Sequence, residues 1–137
     1  MAVEVGLKAL RASRDRLQEA ARREETRGHR SVSCLLLFYA VECALKECAL
    51  RRRGKRDTGQ LDRTHDLRSL AKELMVPGHL SVRLRNLGSC RLRHGSGTVG
   101  IAQLHEAWRY GATLREEDEK EAHAALCALM TWCEQDF

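Results

Sequence analysis

Leu35-Leu36-Leu37-Phe38-Tyr39-Ala40-Val41-Glu42-Cys43-Ala44-Leu45-Lys46 is apolar on nearly every side of a helical wheel, broken only by Glu42 and Lys46. A helix apolar all round is a buried one, so this stretch predicts the central helix of an all-α domain. Glu42 and Lys46 stand four apart in the order that lets them pair across one turn. The predicted helix begins with Ser31 or Ser33 as cap and runs to about Arg53. Arg51, Arg52 and Arg53 suit its negative end, and Gly54 stops it.

Working outward, Val3, Leu7, Leu10, Leu17 and Ala21 recur at helical spacing and predict a first helix over residues 3–25. Residues 54–63 read as a polar loop. Thr64 is placed to cap a short helix whose core is Leu67, Leu70, Ala71 and Leu74, closed by Pro77-Gly78. Leu80, Leu84 and Leu87 continue the helical period, and residues 88–100 read as a loop. A further short helix is predicted over 101–110. Glu116, Glu117, Asp118 and Glu119 crowd the start of a last helix, where the positive dipole end favours them; its core stripe is Ala122, Leu126, Leu129 and Cys133. The chain of 137 residues holds one Pro and six aromatics, too few for a sheet-rich fold. The expectation is one domain over 1–137, an up-and-down bundle of four to five main helices.

The net charge of +5 is uneven: residues 1–56 carry fourteen basic and seven acidic groups, and residues 112–137 carry two and seven. Arg51, Arg52 and Arg53, with Arg91, Arg93 and His94, are candidates for a phosphate-binding surface; solvated helix and loop charge is the competing reading. Aromatics are too scarce to stack single-stranded bases. The six cysteines lack Cys-x-x-Cys spacing, and no leader-like segment is read before them, so buried, reduced thiols in a cytoplasmic protein are expected. The apolar run stops at Glu42, too short for a membrane span. Gly95-Ser96-Gly97-Thr98-Val99-Gly100 matches a dinucleotide-loop string without the strand such a loop requires, so it reads as a turn. His123 and Cys127 share a helix face, but two ligands make no metal site; a core-edge His beside a buried Cys is expected, with no metal and no cofactor. Nucleophile chemistry through Ser or Cys is not indicated, since no Cys is expected exposed beside a His.

The ordered set Tyr39-Ala-Val-Glu42-x-x-Leu45-Lys46, the Arg-rich turn, His65-Asp66-Leu67-x-x-Leu70 and Trp108-Arg109-Tyr110 resembles the HEPN family of small helical domains, over roughly residues 5–135. The resemblance implies a helical bundle that dimerises around a polar cleft. It also implies a setting in prokaryotic defence or toxin–antitoxin systems, with RNA, a nucleotide or a nucleotidyltransferase-like protein as partner. Residues at the matching positions, Glu42, Lys46, His65, Arg109 and Tyr110, are the candidate polar cleft; the competing reading is an ion-pair network that fixes helix register. Ribonuclease members of the family carry an Arg, four to six residues, then a His, near the start of a late helix. Here that spacing occurs only as Arg22 or Arg23 with His29, between the first two helices. The expected function is therefore a non-catalytic, accessory HEPN-like domain. An active metal-independent endoribonuclease using Arg93 or Arg109 with His94, His105 or His65 is the alternative, and a purely structural dimerisation module the third reading.

Overall fold

The computed structural model describes residues 5–54 and 66–135. Its architecture is all-α, as the apolar periodicity predicts. Helices α1 (Leu7–Thr26), α2 (Arg30–Arg53), α3 (Leu67–Glu73), α4 (Gly78–Asn86), α5 (Leu104–Arg109) and α6 (Glu116–Glu134) form a bundle, joined by 3-10 turns at Leu87–Ser89 and Ile101–Gln103. The central helix is α2. Cys34, Phe38, Ala40, Val41, Ala44, Leu45, Cys48 and Leu50 are wholly buried along it. Its ring of apolar side chains leaves no solvated face over those turns, which is why the other helices gather around it.

Helices α1 and α2 are an antiparallel hairpin closed by Arg27, Gly28 and His29, where Gly28 adopts φ +81°. Ser33 meets Ala21 near the turn and Glu47 meets Arg11 and Arg14 far from it, as antiparallel register requires. Helix α6 runs parallel to α2. Ser31 of α2 reaches Glu119 at the start of α6, and Arg52 lies over the Trp132 ring near its end, 5.2 Å from the centroid. The starts of α2 and α6 therefore share one end of the bundle.

Three local expectations are corrected. Neither Ser31 nor Ser33 caps α2: His29 holds the cap position without a side-chain bond, and both serines lie inside the helix. Ser31 Oγ donates to Glu119 and Ser33 Oγ to the Ala21 carbonyl, so both hydroxyls tie α2 to its neighbours. Asp66, accepting from Arg68 N at 3.1 Å and Ser69 Oγ at 2.9 Å, caps α3; the expected cap Thr64 lies outside the described residues.

The stretch 88–100 holds the third correction. It contains a two-residue antiparallel ribbon, β1 (Cys90–Arg91) and β2 (Thr98–Val99), where only loop was expected. The glycine-rich string is the turn and outgoing arm of this ribbon. Gly95 needs φ +83°, and a Cβ on Gly97 would press on Leu92 at 3.0 Å. Those glycines therefore serve the turn itself. A second pairing, Leu92 with Leu114, pins the segment before α6 to the same ribbon. No helix among the described residues is long and apolar enough to cross a membrane.

Candidate functional site

The middle turns of α2 carry three charged side chains, Glu42, Lys46 and Glu47. Lys46 Nζ donates to Glu42 Oε2 at 3.1 Å, the predicted pair across one turn, and both side chains are mostly buried. One residue further on, Glu47 has no solvent exposure at all. Arg11 Nε and Arg14 Nη1 of α1 grip its two carboxylate oxygens, one each. A buried carboxylate needs such donors, because desolvation of an unpaired charge outweighs what packing returns. Glu47 was not singled out from the sequence. Its partners lie 33 and 36 residues away, and no local spacing announces them.

Of the other residues of the expected cleft, Arg109 and Tyr110 stand at the end of α5. Arg109 and Tyr110 meet each other at the exposed end of α5, the guanidinium 4.8 Å from the ring centroid. Among the described residues no hydrogen bond or ion pair joins Glu42 to Arg109, and His65 lies outside them. What α5 does present to α2 is His105 and Trp108. Both pack on Phe38, at centroid distances of 5.3 and 6.4 Å, with Tyr39 6.1 Å from His105. Trp108 Nε1 donates to the buried Glu119, which also accepts from Ser31, so one carboxylate links α5, α6 and α2.

The cations proposed for phosphate divide between the two ends of α2, whose 24 residues span about 36 Å. Arg51, Arg52 and Arg53 close the helix. Arg52 donates to the Leu74 carbonyl at 2.7 Å and Arg53 pairs with Glu73 at 2.9 Å, which fastens α3 to this end. Arg91 sits near the opposite end, bound to Asp118 and Glu117 in the first turn of α6. Its guanidinium holds the Asp118 carboxyl below the usual carboxylate range. Arg93 joins Arg30 and Arg115 on the wall of a 670 Å³ cleft at that end, among Glu25, Glu116, Glu117 and Glu119. His94 is exposed on the ribbon turn. The mixed charge of this cleft is a poor phosphate attractor.

A basic surface that the sequence reading missed lies between α3 and α4. Arg68, Ala71 and Lys72 on α3, with Ser81, Val82, Leu84 and Arg85 on α4, line a 230 Å³ groove. No carboxylate lines it, and Arg68, Lys72 and Arg85 form no ion pair among the described residues. Arg85 is 13 and 17 residues from Lys72 and Arg68, across a turn, so linear clustering does not reveal the three as one surface.

The cysteines are free, and one expectation about them fails. Cys127 is exposed, with its Sγ 3.8 Å from His123 Nδ1, because it lies on the edge of α6 that looks into a shallow groove beside α1. Cys34, by contrast, is buried and its thiol is pushed up to about 12 by that burial. Burial also raises Cys127, followed by the nearby Glu25 carboxylate. Thiolate is the reacting form, so one equivalent of iodoacetamide is expected to label Cys127 first, more slowly at pH 8 than a free thiol and faster as pH rises past 9. Peptide mapping checks this; prior labelling of Cys34 would contradict it. Compared with known proteins, the chain matches no protein-family model, no curated protein and no solved structure, and its function rests on its own residues.

Proposed function

We propose that this chain is a non-catalytic, HEPN-like binding domain that engages RNA through its phosphate backbone. The observation that carries this reading is the carboxylate-free surface of Arg68, Lys72 and Arg85, three cations without an ion-pair partner among the described residues. Arg11, Arg14, Arg53, Arg83 and Arg91 are bound to carboxylates of the chain, whereas these three share one groove that no carboxylate lines and are placed to meet an external anion. With one Trp and one Tyr ring engaged by Arg52 and Arg109, base stacking is not the basis of the reading; backbone electrostatics is. The contact of buried Glu47 with Arg11 and Arg14, which joins α2 to α1, supports a register-fixing role for the charge on α2. The homodimer and the defence-system or nucleotidyltransferase-like partner that the HEPN resemblance implies belong to the same proposal.

Fluorescence anisotropy with an end-labelled single-stranded RNA tests it. Binding is expected to weaken linearly in log salt. R68E/K72E/R85E is expected to weaken it by roughly tenfold or more and to flatten the slope by about 2, at about 0.7 per phosphate contact. Salt-independent binding, or an unchanged variant, contradicts the reading. RNA cleavage that persists in EDTA and disappears in His105→Ala or His94→Ala would replace it with the endoribonuclease.

A further inference from the structure

The groove between α3 and α4 has a property that phosphate binding does not use. Beneath the three cations its wall is more apolar than polar, with Val82 at the surface and Ala71 and Leu84 buried behind it. Val82 is 43 % exposed, one of few large apolar side chains left open. A phosphate backbone needs cations alone, and an apolar floor under them adds nothing to its binding. At 230 Å³ the groove is also smaller than the roughly 300–1,000 Å³ that encloses a whole small molecule. It suits one or two side chains projecting from a larger partner.

An occupant that uses the whole groove, cations and apolar wall together, carries apolar anchors with anions beside them. We propose that the α3–α4 groove receives an acidic amphipathic helix of a partner protein, whose apolar residues pack on Val82 and the aliphatic stems beside it while its carboxylates meet Arg68, Lys72 and Arg85. An amphipathic helix offers such anchors at i, i+3, i+4 and i+7 with carboxylates on the flanks, and α4, nine residues long, gives it two to three turns to lie along. The three cations have no ion-pair partner among the described residues, so they can meet the incoming carboxylates without first breaking a native pair. Because the same cations serve RNA under the function proposed above, helix and RNA exclude one another, and the partner works as an off-switch for RNA binding.

The probe is a displayed library of helices of roughly four turns. Apolar residues stand at i, i+3, i+4 and i+7, and Asp or Glu fills the remaining positions. A matched library with Lys and Arg there is the control. The acidic library is expected to enrich and the basic one not. Enriched peptides should bind R68E/K72E/R85E roughly tenfold more weakly or worse. Val82→Gln, a neutral change on an exposed helix position, should weaken the peptides about fivefold and leave RNA within about twofold. Melting curves of the variants confirm that both remain folded.

No enrichment over the basic library overturns the proposal, and so do enriched peptides indifferent to Val82→Gln. Equal weakening of RNA and peptide by Val82→Gln assigns the groove to RNA instead. If RNA fails to bind at all, the peptide arms still decide the docking question, and only mutual exclusion falls. If RNA binds as expected and the peptides do not, the function stands and the docking site is rejected.

Discussion

Glu47→Ala is expected to destabilise the domain by about 3–5 kcal/mol, the cost of removing one side of a buried ion pair. Glu47 is wholly enclosed between α1 and α2, and its loss leaves Arg11 and Arg14 facing an apolar wall without their acceptor. The two arginines are unequal. The Arg14 side chain is 12 % exposed and that of Arg11 51 %, so Arg11 can swing into water while Arg14 cannot. Arg14→Ala is accordingly expected to cost more than Arg11→Ala. Replacing Glu47 and Arg14 together by leucine should recover most of the loss, because the buried charge of Arg14 goes with that of Glu47 and the half-exposed Arg11 can turn to water. Urea denaturation followed by circular dichroism measures each difference. A loss below about 1 kcal/mol for Glu47→Ala would mean that the carboxylate is solvated in the native state. Against a typical total of about 5–15 kcal/mol, the expected loss would bring the variant near its unfolding threshold at 37 °C.

Glu47 also marks where reading the chain alone stops. Helix α2 was legible because an apolar run fixes burial on all sides regardless of partner, and α6 because acidic residues gather at its start. Glu42 and Lys46 were legible as a pair because they are one turn apart. Glu47 looks like any surface glutamate until α1 is folded against it. The same holds for Arg68, Lys72 and Arg85, which become one surface only when two short helices pack. Arg51–Arg53 and Arg91–His94 present the opposite case. They resemble one basic surface in composition, yet the length of α2 keeps them apart and carboxylates already hold Arg53 and Arg91. Ser31 and Ser33 fit the statistics of helix caps, but tertiary acceptors, Glu119 and the Ala21 carbonyl, claim their hydroxyls. Cys127 was misplaced because an apolar neighbourhood in sequence does not say which edge of α6 faces out.

Phe38→Ala is the second large effect, at about 3–5 kcal/mol. The ring is fully buried, and it meets Tyr39 edge-on at 6.0 Å, His105 at 5.3 Å and Trp108 at 6.4 Å. It is the piece through which α5 is seated on α2. Deleting it removes the transfer energy of a whole aromatic side chain and opens a cavity that three stiff rings cannot collapse to fill. Phe38→Leu keeps most of the volume and is expected to cost about 1–2 kcal/mol. Trp108 reports the damage directly: with its Nε1 proton on Glu119 and its ring in an edge contact with Phe38, it should shift its emission to the red in Phe38→Ala. In a Trp132→Phe background the signal belongs to Trp108 alone. RNA affinity separates this lesion from a functional one. Arg68, Lys72 and Arg85 stand on α3 and α4, away from the Phe38 cluster, so below its melting temperature the Phe38→Ala protein should bind RNA within about twofold of the parent. A stable Phe38→Ala protein that has lost RNA binding would place the anion site on α5, beside Arg109 and Tyr110, and not on the α3–α4 face.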